Sequence, residues 1–158
     1  MFKKILVPLD GSDLAAKILP KVEELAKLCD AEVTLIMVGA SATNLAGIAS
    51  PEIFEKAAEH DSRFAKRYLE GAANELQGKG VKVNWFYEAG MPAQTIIKHA
   101  SDNNFDLIAL ATHGKGEVAW VMGSTAERII SHATVPVLLV RVMEYKPPLL
   151  KEQFFMGA

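Results

Sequence analysis

Short apolar runs and segments with helical periodicity alternate along this chain. Continuous apolar runs over 5–9, 31–38 and 106–111 predict strands that are buried on both faces. An alternating run over 81–87 and a further apolar run over 135–141 predict two more strands. Strands separated by helices are typical of a parallel sheet whose right-handed crossovers place helices on both faces. The pattern therefore predicts an α/β protein with a five-stranded, mostly parallel sheet.

Four helices are predicted between these strands, over about 13–29, 51–77, 92–103 and 124–132. The first has Ser12 or Asp13 as its N-cap and an apolar stripe for packing on the sheet. Pro20 lies inside this stripe, and because the stripe continues beyond it we expect a kink rather than an end. The stripe consists of Leu14, Ile18, Val22, Leu25 and Leu28.

Composition narrows the class of protein. The chain has 158 residues, of which 50% are hydrophobic and 23% charged, so we expect one folded domain over 1–144 and an apolar tail over 145–158. Nineteen acidic and seventeen basic residues give a net charge of −2, which predicts neither nucleic acid nor membrane as a partner. With one cysteine, Cys29, and no visible secretion signal, the expected location is cytoplasmic.

A ligand crevice in such a sheet lies beyond the carboxyl ends of the strands. The segments 8–12, 38–40 and 111–125 follow the first, second and fourth strands and should meet there. In the third segment, Gly123, Ser124 and Thr125 open a helix whose N-terminus favours phosphate. The residues also fit a purely structural interpretation, in which the glycines form turns and Asp10 and Ser124 cap helices.

Three stretches resemble the universal stress protein family: KILVPLDGS at the start, DLIALATHG near residue 110, and GSTAERIISHATVPVLLVR at the end. The resemblance covers about residues 2–142. It implies a Rossmann-like nucleotide-binding domain of the adenine nucleotide alpha hydrolase type, which forms a homodimer commonly through its last strand, here residues 135–141. One branch of the family binds ATP or AMP.

Carried over by position, the resemblance implies a nucleotide site. Asp10 would face the ribose or a Mg²⁺ ion held by the phosphates. His113 adjoins the site and could contact phosphate, although a lone histidine is more often an ordinary loop residue, and no catalytic role is assigned to it. The adenine slot would be lined by Pro8, Leu9 and Val38, and the phosphates held by Gly114, Gly123, Ser124 and Thr125.

The chain departs from the ATP-binding branch at two points. That branch has Gly-x-x-Gly, nine residues, and then Gly-Ser or Gly-Thr. Here Ala111 replaces the first glycine, and only eight residues, 115–122, separate Gly114 from Gly123. The methyl group of Ala111 narrows an approach that glycine permits, whereas the extra Gly116 offers some compensation in the shorter loop.

Three functions remain open on this evidence. The first is a dimeric regulatory protein of the stress response that binds ATP or AMP, with or without Mg²⁺, and signals to an unidentified protein partner. The alternative is a stress protein without nucleotide or cofactor that acts through protein contacts, which Ala111 and the short loop favour. An enzyme is the least supported, with at most slow ATP hydrolysis, because no pyrophosphatase loop, Walker lysine motif or nucleophile elbow is present.

The final predicted strand supplies a physical reason for dimerisation. If VPVLLV lies at the edge of the sheet, it presents an apolar row with unpaired backbone groups, and such edges are usually covered. Pairing with the same strand of a second copy would cover it.

Overall fold

The computed structural model describes residues 1–41, 50–114 and 121–143. Within these residues five strands form one sheet in the order β3-β2-β1-β4-β5, and every pairing is parallel. The predicted fold class is therefore confirmed. The strands are β1 Lys4–Pro8, β2 Glu32–Gly39, β3 Lys82–Ala89, β4 Leu107–Ala111 and β5 Val137–Val140.

Five helices are described: α1 Asp13–Ala16, α2 Leu19–Cys29, α3 Pro51–Gly78, α4 Pro92–Asp102 and α5 Ser124–His132. The last three agree closely with the predicted boundaries. Helix α3 ends just before Gly80, which adopts a left-handed φ of 88°, a conformation that suits glycine beyond the end of a helix.

The expected kink at Pro20 is wrong. The first predicted helix is divided into α1 and α2, and Pro20 lies in the first turn of α2, where a missing N–H removes no hydrogen bond. The predicted N-cap is found, since the Ser12 hydroxyl accepts from the amide of Ala15 at 3.1 Å. The stripe also ends differently, because Leu28 is 72% exposed and Cys29 is buried at the helix end.

The two faces of the sheet carry separate helix layers, as the pattern predicted. Helices α1 to α3 cover one face, where Ile18 and Val22 pack with strand residues such as Val7 and Leu35. Helices α4 and α5 cover the other face, around Leu6 and Ile108 of the sheet. The inner strands β1, β2 and β4 are buried almost throughout, which explains their continuous apolar sequences.

The two edge strands differ from the inner ones. In β3 polar and apolar residues alternate and most side chains are exposed, while Phe86 stacks on His99 of α4 with ring centroids 4.5 Å apart. Strand β5 occupies the opposite edge, the position on which the predicted dimer depends. In the part of the chain that the structure describes, no helix combines the length and the apolar character needed to cross a membrane.

Candidate functional site

A cleft opens at the point where the strand order reverses. Strand β1 pairs with β2 on one side and with β4 on the other, so the segments that follow these strands diverge above the sheet. Ligands of open α/β sheets bind at this switch point. The cleft has a volume of about 150 Å³ and is bordered by residues at the carboxyl ends of β1, β2 and β4 and by the first turns of α4 and α5.

Nine of the ten residues predicted from the sequence line this cleft. Ser124 is the exception: it is exposed at the first position of α5 and does not contribute to the lining. Arg128 does not line the cleft and lies in a groove between α4 and α5. The predicted residues that line the cleft are Pro8, Leu9, Asp10, Val38, Ala111, His113, Gly114, Gly123 and Thr125.

Helix α4 also borders the cleft, a contribution that was not predicted from the sequence. Pro92 and Ile96 line the cleft from the first turns of that helix. A signal was available, because a helix that follows a parallel strand begins at the carboxyl edge of the sheet, where its first turn borders the crevice. The other lining residues that were missed are Ala15, Leu110, Thr112 and Ala126.

Asp10 is held in a tight turn at the end of β1. The amide of Leu9 donates to the carbonyl of Ile36 at 2.9 Å, which fixes the chain before the turn. The Asp10 Oδ1 atom then accepts from the Ser12 amide at 2.9 Å and from its hydroxyl at 2.5 Å. Gly11 between them has a φ of 82°, a left-handed conformation that favours glycine.

The second carboxylate oxygen of Asp10 lies against Gly114. A Cβ atom placed on Gly114 would overlap Asp10 Oδ2, so any other residue at this position would displace the Asp10 carboxylate. This close approach brings the ends of β1 and β4 together at one side of the cleft. It also gives Gly114 a role that the sequence could not specify, because it depends on a contact between residues 104 positions apart.

Thr112 connects β4 to two neighbouring elements. Its amide donates to the carbonyl of Val140 in β5 at 2.9 Å, and its carbonyl accepts from the amide of Gly123 at 2.9 Å. Because Gly123 precedes α5, this second bond fixes the start of that helix beside the cleft. The amide of Gly123 is therefore already engaged, and an anion at the helix start would use the amides that follow it.

Negative charge near Asp10 affects a neighbouring helix. Tyr68 of α3 has a pKa raised above its ordinary value, first by burial and then by the carboxylates of Asp10 and Asp13. Its ring lies 6.3 Å from that of Phe64, whose side chain also approaches Gly11. The aspartate turn thus borders α3 on one side and the cleft on the other.

The described residues contain no group of three or more His, Cys, Asp or Glu side chains that could hold a metal ion. The extra Gly116 of the shorter loop lies outside the described residues, as does the tail over 145–158.

Comparison with known proteins identifies the family. The family model described as the universal stress protein family matches residues 1–141. This chain belongs to the universal stress protein family. Universal stress protein YxiE of Bacillus subtilis is 34% identical over 148 residues, covering 89% of this chain and all of YxiE. Universal stress protein MJ0577 of Methanocaldococcus jannaschii is 32% identical over 155 residues, covering 89% and 96% of the two chains.

Solved universal stress proteins share the fold. The MJ0577 structure has a TM-score of 0.80 at 31% identity and covers 92% of this universal stress protein and 99% of its own chain. Two more distant structures, from Archaeoglobus fulgidus with dAMP and from Arabidopsis thaliana with AMP, have TM-scores of 0.64 at 20% and 18% identity. They cover 87% and 89% of this chain and 97% and 92% of their own.

Proposed function

We propose that this universal stress protein binds an adenine nucleotide, ATP or AMP, in the switch-point cleft and acts as a regulatory protein of the stress response. The observation that carries the proposal is the convergence of nine predicted residues, from four separate stretches of sequence, on one cleft. The AMP and dAMP complexes of proteins with the same fold support the choice of ligand class.

The apolar part of the cleft suits a planar base. Val38, Pro92 and Ile96 contribute apolar surface from β2 and α4, and Leu9 is buried beneath. A cavity of roughly 150 Å³ accommodates one aromatic ring in other proteins. The cleft could therefore take up one ring of the two-ring base, while the rest of the nucleotide would extend from it toward its polar end.

The polar end suits an anion. The first amides of an α-helix have no acceptor within the helix, and the helix dipole favours negative charge at that end. Thr125 lines the cleft in the first turn of α5, and Gly123 is buried just before it. A phosphate group placed here would accept hydrogen bonds from the backbone and from the Thr125 hydroxyl.

Mg²⁺ fits the site as an ion held mainly by the nucleotide. It is usually bound through one or two carboxylates together with substrate phosphates, which agrees with Asp10, the one carboxylate among the described residues that line the cleft. Asp10 would hold the ion there, and the ion would offset the repulsion between that carboxylate and the phosphates. Without a metal, Asp10 would face the ribose hydroxyls.

One observation favours the second candidate, a stress protein that acts through protein contacts without nucleotide. Ala111 lies in the wall of the cleft and is buried, so its methyl group takes space that glycine would leave open.

In either case we propose a cytoplasmic homodimer paired through the final strand, residues 135–141, with the family domain over 1–144 and a separate tail over 145–158.

Calorimetric titration separates the two candidates. The purified protein is first shown to carry no nucleotide and is then titrated with Mg-ATP, AMP and adenosine. Saturable binding of AMP or Mg-ATP is expected, with adenosine weaker because it lacks the phosphate that α5 would bind. Heat from none of the three ligands would reject the nucleotide proposal and leave the protein-contact candidate.

A pair of glycine variants locates the site. Gly114→Val should abolish binding, because its side chain would occupy the space beside Asp10. Gly71→Val on α3 is the matched control, since a Cβ at Gly71 meets no atom within 4 Å. Circular dichroism verifies that both variants fold. Equal affinity in the two variants would place the nucleotide elsewhere on the protein.

A further inference from the structure

His113 is a buried polar residue with one unexplained atom. The residue is only 4% exposed and lines the cleft. Its Nε2 atom is buried and has no hydrogen-bond partner among the residues that the structure describes. Buried polar atoms are nearly always paired, so an unpaired ring nitrogen at the wall of a ligand cleft points to a partner on the ligand.

The other ring nitrogen of His113 contacts the hydroxyl of Thr112. The Thr112 Oγ1 atom accepts a hydrogen bond from the Val142 amide at 3.3 Å and lies 2.7 Å from His113 Nδ1. A threonine hydroxyl has one hydrogen to donate, and within the described residues Nδ1 is the acceptor that it reaches. Donation of that hydrogen to Nδ1 would give both groups a partner, and the proton of a neutral ring would then be on Nε2.

We propose that Thr112 is a positioning residue that holds His113 as an Nε2–H donor to a sugar or phosphate oxygen of the bound nucleotide. This inference rests on the proposed function. Thr112 is connected to β5 and to the start of α5 through its backbone, so the donor is anchored to rigid elements on both sides. A fixed Nε2–H selects a ligand atom that accepts a hydrogen bond and disfavours one that donates.

The tautomer can be measured without any ligand. Protein labelled with ¹⁵N-histidine gives long-range ¹H–¹⁵N correlations that distinguish the two neutral tautomers, and the four histidines are few enough to resolve. The signal lost in His113→Gln assigns the residue. His113 is expected as the Nε2–H form in the unaltered protein and in Thr112→Ser, with loss of that preference in Thr112→Val.

Ligand binding tests the second half of the inference. AMP binding should weaken about tenfold in His113→Phe, the change that corresponds to the loss of one hydrogen bond. Thr112→Val should weaken it to a similar extent, and Thr112→Ser should restore it. In a protein that already carries His113→Phe, adding Thr112→Val should weaken AMP binding little further, since both substitutions remove the same interaction. His132→Gln, on the outer surface of α5, is the control.

The outcomes separate this inference from the proposed function. If Gly114→Val abolishes AMP binding while His113→Phe binds like the unaltered protein, the nucleotide site stands and the role of His113 is overturned. An Nδ1–H tautomer for His113 would overturn the role of Thr112. A lack of AMP binding by the unaltered protein would reject the donor role together with the nucleotide proposal, even if the Nε2–H tautomer is observed.

Discussion

Replacing Leu138 with lysine should convert the proposed dimer to monomers without unfolding the domain. Leu138 lies in the middle of β5, which pairs only with β4 in the described part of the chain. Its side chain is 39% exposed and belongs to neither core cluster. Val140 is a poorer choice in the same strand, because it packs against the core and its replacement would also destabilise the fold.

The size of the effect follows from the exposed fraction. Burying a whole leucine side chain is favourable by roughly 1.5–3 kcal/mol. If pairing of β5 covers the exposed 39%, each copy contributes about 0.6–1.2 kcal/mol. A symmetric dimer interface contains this contribution twice, once from each copy. Losing both contributions should raise the dimer dissociation constant by roughly one order of magnitude or more. Two lysines facing each other across the interface would add repulsion to this loss.

Sedimentation equilibrium over a range of concentrations measures the dimer dissociation constant directly. Leu138→Ala should raise this constant less than Leu138→Lys, because it removes apolar area without adding charge. Leu28→Lys is the control: Leu28 is 72% exposed on α2, far from β5. A dissociation constant unchanged in Leu138→Lys, with unaltered melting temperature, would refute an interface formed by this strand.

Three further predictions concern the cleft, pH and the core. Ala111→Gly should tighten AMP binding in calorimetry if the buried methyl narrows the cleft; equal affinity would show that the cleft already tolerates it. Burial lowers the pKa of His99 below its ordinary value, against the opposing effect of Glu88 and Asp102, so the neutral ring is favoured in the folded state. The contribution of the neutral His99 ring to the free energy of unfolding is present above the unfolded pKa of about 6.5 and is lost as the pH falls below that value. Thermal unfolding near pH 7.5 and 5.5 should therefore differ less in His99→Gln than in the unaltered protein, and an equal difference would refute this. Ile108→Ala should cost about 2–5 kcal/mol in urea unfolding because Ile108 is fully buried, and a loss below about 1 kcal/mol would contradict the packing described.

Much of the fold was predictable from the sequence because its determinants are local. Strands covered on both faces require continuous apolar runs, and the segments around Leu35 and Ile108 have them. Helix α5 was predicted to begin at Ser124 and end at His132, as it does. The cleft residues were predictable for the same reason, since the segments after parallel strands must meet at one edge of the sheet.

Two features of the structure were not predicted from the sequence. The periodic stripe suggested one helix through Pro20, but a new helix begins at Leu19, which places Pro20 in its first turn, and Leu28 is exposed. The contact between Gly114 and Asp10 joins two strand ends that are distant in sequence.

The sequence by itself thus determined the strands, most of the helices and which loops border the cleft, because hydrophobic periodicity and turn chemistry act over a few residues. The packing of separate elements decided that Ser124 lies outside the lining and that Asp10 meets Gly114. The same holds for Thr112, which joins His113, β5 and the start of α5. These features depend on how separate elements pack, and no local pattern encodes the distances between them.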